Sequence, residues 1–199
     1  MILYNMPSSG NSYKVRLLLG LTSQSADCLD VEYGDVALEK AKAALPFGKA
    51  PVLMLDDGTA LPESNAILWY LAQETAYWPT TPLEQAQTLS WMFWEQNQHE
   101  GVIAVRAALR TYPHRAAQAT PERLEELLRQ GNALLQVMED HLANRDWLVG
   151  SGPSIADICL YAYTHSADTR GGYDLAPFPA LRAWLDRVAA LPGHIGLTA

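Results

Sequence analysis

The chain has 199 residues, 49% of them hydrophobic and 18% charged, the composition of a folded globular protein rather than a disordered segment. A formal charge of −8 and the lack of any Lys or Arg cluster exclude nucleic acid as an expected partner. No apolar run approaches the ~20 residues of a membrane-spanning helix, and the opening "MILYNMPSS" lacks the basic and long apolar regions of a signal peptide, so no membrane association and a cytoplasmic location are expected.

In chain order, "ILYNM" (2–6) predicts a short buried strand, and "NSYKVRLLLGL" (11–21) has the apolar spacing of a helix ending near Gly20. Between them "PSSGNSYKV" (7–15) crowds hydroxyls into the turn. "CLDVEY" (28–33) alternates as a second strand, and "LEKAKAAL" (38–45) is a short helix stopped by Pro46. "APVLMLDDGTAL" (50–61) reads as two strands joined at Asp57-Gly58, and "ESNAILWYLAQE" (63–74) as a third helix. The order βαβαββα predicts a small mixed sheet: a parallel pair with a right-handed crossover, and an antiparallel edge from the hairpin.

"TAYWPTTP" (75–82) carries the prolines and threonines of a linker, and beyond it strand patterns vanish. Residues 83–112 predict one long helix that tolerates Gly101 and ends at Pro113. Leu124, Leu127, Leu128, Leu134, Leu135, Met138 and Leu142 then form one helical stripe, opened by Thr120 and Pro121. Two further helices are expected at 154–167 and 178–191. Ser154 and Asp157 have capping-box spacing, which makes Asp157 a structural acid. The expected organisation is an α/β domain over 1–76, a linker over 77–82 and an all-helical domain over 83–199.

Cys28 and Cys159 are too few and too distant for a disulfide framework or a zinc site, and the five histidines are dispersed, so no metal is expected. Cys159 lies in an apolar helix and reads as core. Every lysine falls within the first 49 residues, so a small anion bound in that half would meet Lys14, Arg16 or Lys49. On their own chemistry, Ser8, Ser9 and Asn11 are turn and cap residues, and Ser64 is equally a cap or an anion donor at a helix N-terminus.

Three stretches taken together resemble the cytosolic glutathione transferases: the serine-rich turn, "GKAPVL" (48–53) and "PESNAIL" (62–68), with "SIADI" (154–158) as a structural fourth. The resemblance spans nearly the whole chain and points to a serine-type or nu-like bacterial class. It implies a thioredoxin-like first domain that binds glutathione as co-substrate, followed by the family's helical domain. It also implies a cis Ala50-Pro51 bond, with the Ala50 backbone pairing to glutathione like an added strand. Glu63 and Ser64 would hold the γ-glutamyl end, and Lys49 the glycyl carboxylate. Leu45-Pro46-Phe47 departs from the Asn-Pro that often precedes the Gly-Lys segment, and the cysteine of the beta class is absent.

The implied chemistry explains the hydroxyls. A free cysteine thiol, with pKa ~8.5, is only a few per cent ionised at neutral pH, and depressing it by about two units makes thiolate the majority form. One hydroxyl donor and a helix N-terminus can supply that. In the serine-type pattern Ser9 takes the thiolate-donor position; Asn11, as in the nu class, is the second candidate and Ser8 the third. The implied activity is transfer of glutathione to a hydrophobic electrophile, with a homodimer as the family's usual form. Glutathione-dependent disulfide or peroxide reduction, or a non-catalytic binding protein on the same fold, are the alternatives. A second-substrate pocket would lie between the domains, with Met6 or Pro7 on one wall and Trp91, Trp94, His99, Arg106 and Tyr112 as candidates on the other.

Overall fold

The computed structural model describes residues 1–31 and 49–197, and in it the apolar opening run forms β1 (Ile2–Asn5) with Leu3 and Asn5 facing inward. β2 (Asp27–Asp30) pairs with it in parallel. β3 (Val52–Met54) pairs antiparallel to β1, and β4 (Ala60–Pro62) antiparallel to β3, in the sheet order β2-β1-β3-β4. This is the mixed sheet that the βαβαββα pattern implies; the expected helix at 38–45 and residues 32–33 of the expected second strand lie outside the described residues. All four β2 residues are exposed, as suits an edge. The hairpin turns at Gly58, whose φ of 85° places it in the left-handed region and whose amide donates to the Leu55 carbonyl at 3.0 Å. The Asp57 carboxylate accepts from the Thr59 amide at 2.8 Å and braces the turn.

α1 (Gly10–Thr22) buries Tyr13, Val15, Leu17, Leu18 and Leu19, which is why "RLLLGL" is nearly continuous rather than amphipathic. The helix does not end at Gly20; it runs to Thr22 and is closed by Ser23 at φ 54°. Gly20 has another reason to be small. A Cβ there would stand 2.7 Å from the Gly193 carbonyl, and one on Gly193 would stand 2.4 Å from the Gly20 carbonyl, so the two backbones touch. α2 (Ser64–Ala72) packs on α1 and buries Ile67, Leu68, Leu71 and Ala72.

The chain divides into two compact units, one of residues 1–78 together with 191–197, the other of Pro79–Ala190. In the second, α3 (Pro82–Trp94) starts at a Thr81 cap, whose Oγ1 accepts from the Glu84 amide at 3.3 Å. The single helix expected over 83–112 is broken in register: Glu95–Ala104 has π-helical geometry before α4 (Val105–Thr111) resumes the α pattern. The π stretch buries Glu95, His99 and Ile103. Cys159 donates to Glu95 Oε2 at 3.2 Å, and Thr164 Oγ1 lies 3.1 Å from His99 Nε2. Those partners arrive from a distant helix, which is why periodicity alone leaves the register undetermined.

α5 (Pro121–Leu142) begins at Thr120 with Pro121 in its first turn and buries Leu127, Leu135, Met138 and Leu142 from the expected stripe. Gly131 on the same face is a seat for Tyr173, since a Cβ would lie 2.3 Å from that ring. Tyr173 Oη donates to the Leu127 carbonyl at 2.9 Å, and burial pushes the phenol up to about 12. α6 (Ile155–Thr164) carries the capping box. Asp157 Oδ2 accepts from the Ser154 amide at 2.8 Å, and Oδ1 from the Leu148 amide at 3.0 Å and the Trp184 indole of α7 (Pro179–Ala189) at 2.9 Å. Burial pushes this carboxyl up while the donors pull it down. Cys159 is a buried core residue and Cys28 is exposed on β2. No helix among the described residues is long and apolar enough to cross a membrane.

Candidate functional site

Two helix N-termini meet in the first unit. Ser9 is the cap of α1: its backbone is extended, its amide donates to the Met6 carbonyl at 2.9 Å, and its Oγ accepts from the Ser12 amide at 3.4 Å. That is a long cap bond, and it occupies the hydroxyl as acceptor only. Ser8, Ser9 and Asn11 are half-buried at this corner, whereas Ser12 is fully buried and its Oγ accepts from the Met6 amide at 3.0 Å. Ser12 is thus internal scaffolding of the turn.

The second N-terminus belongs to α2. Ser64 is buried, and its hydroxyl donates to Asn11 Oδ1 at 3.1 Å, a direct bond between the first turns of α1 and α2. It orients the Asn11 amide, with the carbonyl end toward Ser64. Glu63 is exposed and sits at φ 70°, ψ 115°. A non-glycine residue held in such a region costs about 1–3 kcal/mol and persists where the surroundings over-determine it. Two helix N-termini side by side direct two positive dipole ends at one corner, an environment that favours anions.

Ala50 precedes β3, its bond to Pro51 is cis, and its side chain packs against Met6 and Val31, so Ala50 and the loop entering α1 share one small cluster. Lys49 is exposed. Lys14 and Arg16 are not available as surface cations: both are buried, Lys14 Nζ lying 3.4 Å from Asn65 Oδ1 and Arg16 donating to the carbonyls of Pro7 and Leu197 at 3.1 and 2.6 Å. Burial lowers the pKa of the Arg16 guanidinium, with Cys28, Tyr13 and Asp30 acting in the opposite sense. Burial also raises the Cys28 thiol, which is the reverse of what a reactive cysteine needs.

Of the residues considered for a second pocket, His99 and Arg106 are buried within the second unit. Arg106 donates to the carbonyls of Gly171 and Leu124 and lies over the Tyr173 ring. Trp91 meets Trp94 and His141 edge-on, and the Tyr112 hydroxyl accepts from Arg170. Sequence reasoning missed Asn65 and the carbonyl partners of Arg16, because neither has a local signal. Among the described residues no cluster of His, Cys, Asp or Glu suits a metal.

Known proteins share this architecture. Residues 3–79 match the glutathione S-transferase N-terminal domain model and residues 102–192 the C-terminal domain model. A glutathione S-transferase from Pseudomonas fluorescens Pf-5 superposes with a TM-score of 0.92 at 41% identity, covering 100% of this chain and 98% of that one. The disulfide-bond oxidoreductase YfcG of Escherichia coli K12 is 33% identical over 154 residues, 74% of this chain and 70% of that protein. A maleylacetoacetate isomerase from Methylobacterium extorquens AM1, solved with malonate and glutathione bound, superposes with a TM-score of 0.79 at 25% identity, covering 97% and 94%. The chain belongs to the glutathione S-transferase family, with a thioredoxin-like N-terminal domain and a helical C-terminal domain.

Proposed function

We propose that this protein is a cytoplasmic, homodimeric glutathione transferase that binds reduced glutathione in its first unit, ionises the thiol at the start of α1 and delivers the thiolate to a hydrophobic electrophile. The observation that carries the reading is the Ser64–Asn11 bond, which brings two helix N-termini together at 3.1 Å. In this scheme Glu63, Ser64 and the α2 amides hold the γ-glutamyl end, and the Ala50 backbone next to Pro51 pairs with the cysteinyl residue. Lys49 takes the glycyl carboxylate. Ser9 donates its hydroxyl hydrogen to the sulfur, since the Ser12 bond uses its Oγ as an acceptor and does not consume that hydrogen. Asn11, held by Ser64, is the second donor.

The experiment is calorimetric titration of reduced glutathione followed by turnover of an aromatic halide. Saturable binding with conjugate formation is expected; no binding at millimolar glutathione would leave only a non-catalytic role for the fold. A second reading has its own support in the 33% identity to a disulfide-bond oxidoreductase. There the bound thiolate attacks one sulfur of a disulfide and expels the other as a thiolate. Hydroxyethyl disulfide turned over faster than the aromatic halide would favour it.

A further inference from the structure

We infer that Arg16 is a positioning residue for the thiol-activating turn, and that it acts by clamping residues 193–197 and the Pro7 carbonyl together. The inference rests on the assignment of thiol activation to the start of α1. Three positions along α1 receive the C-terminal segment. Tyr13 Oη donates to the Ile195 carbonyl at 2.8 Å and lies 3.4 Å from His194 Nε2. Arg16 donates to the Leu197 carbonyl at 2.6 Å. Gly20 and Gly193 meet backbone to backbone, with Gly193 at φ 84°, so neither accepts a side chain without displacing the other. The spacing of Tyr13, Arg16 and Gly20 puts them on one face of a helix.

The Arg16 side chain also reaches onward to the turn. The same Nη2 that holds Leu197 also donates to the Pro7 carbonyl at 3.1 Å. Pro7 has no amide hydrogen, and Met6 is tied by Ser12 Oγ at its amide and by the Ser9 amide at its carbonyl. The Pro7 carbonyl is a polar handle on the peptide entering Ser8, and its direction helps set the path of the chain into Ser9. Charge-assisted bonds to carbonyls are the strong ones, and Pro7 is half-buried, so the turn follows the guanidinium. Arg16 is 7% exposed, which limits solvent competition at the guanidinium end of the clamp.

The test compares wild type, Arg16→Met, Arg16→Lys and Gly193→Ala, the last loosening the segment without touching Arg16. Two readouts are taken on variants that retain a cooperative thermal transition: amide hydrogen exchange across residues 6–12, and the pH titration of thiolate absorbance for bound glutathione. Arg16→Met and Gly193→Ala should each speed exchange at residues 8–10 and raise the thiolate midpoint by about one pH unit, with a kcat decrease of about tenfold and a glutathione Kd within about twofold of wild type. Arg16→Lys should recover part of both. Unchanged exchange in Arg16→Met overturns the clamp. So does faster exchange with an unchanged thiolate midpoint, provided that wild type itself shows a depressed one. Should wild type show no depression, the assignment of thiol activation fails, and the exchange data alone decide whether Arg16 orders the turn.

Discussion

Ser64 Oγ donates to Asn11 Oδ1 across 3.1 Å, so a side-chain bond joins the first turns of two helices far apart in sequence. The bond does two things: it commits the Ser64 hydroxyl hydrogen to Asn11, which leaves the Ser64 backbone amide to meet an anion, and it fixes the rotamer of Asn11 beside Ser9. Replacing Ser64 by Ala removes this tie between the two helix starts and releases Asn11. The expected outcome is a glutathione Kd weakened about tenfold, equivalent to ~1.4 kcal/mol, with the thiolate midpoint of the remaining complex raised by less than in Ser9→Ala. Calorimetry at fixed pH reads the first quantity and absorbance the second.

The capping network at the start of α6 predicts a stability effect independent of ligand. Asp157 accepts from two amides and an indole, all buried. Asp157→Ala leaves those donors without partners and should lower stability by about 3 kcal/mol, more than the ~1 kcal/mol of an isolated cap. Urea unfolding with an unchanged m-value is the check.

Gly131→Ala should be destabilising by about 1–3 kcal/mol although alanine is the better helix former, because its Cβ would stand 2.3 Å from the Tyr173 ring. Pairing it with Tyr173→Leu, which removes the aromatic ring and phenol, should recover part of the loss. Additive costs in the double mutant would refute the contact as the cause.

His194 gives the C-terminal segment a pH dependence. Burial lowers its pKa from 6.5, so near that pH the unfolded chain binds more protons than the folded one, and stability rises with pH. The contribution is fully present above the unfolded value and is lost as pH falls through it toward the lower folded value. Protection of residues 193–197 against hydrogen exchange, taken relative to the intrinsic exchange rate at each pH, should therefore fall between neutral and mildly acid pH, and His194→Gln should flatten that change.

Local patterns were legible in the sequence; distant partners were not. The Ser154–Asp157 box, the Thr120-Pro121 helix start and the Asp57-Gly58 turn are each encoded within four residues, and the structure has all three. Gly20 looked like a helix end because glycine often is one, whereas its partner is Gly193, at the other end of the chain. Lys14 and Arg16 looked like anion ligands because most basic side chains face solvent. Their partners, Asn65 and the carbonyls of Pro7 and Leu197, come from other segments. The π register of Glu95–Ala104 belongs to the same group: its buried acid and histidine answer to Cys159 and Thr164. At the candidate site, the residue types and order were readable, but the bond that joins Asn11 to Ser64 was not.

The proposed catalysis turns on the Ser9 hydroxyl lowering the thiol pKa of bound glutathione. Its most direct measurement is the pH titration of thiolate absorbance for glutathione bound to wild type and to Ser9→Ala, at glutathione saturation for each. The account predicts a wild-type midpoint well below the ~8.5 of a free cysteine thiol and a mutant midpoint shifted upward by a unit or more, with glutathione still bound. Equal midpoints in the two proteins would contradict it and move the role to Asn11 or Ser8.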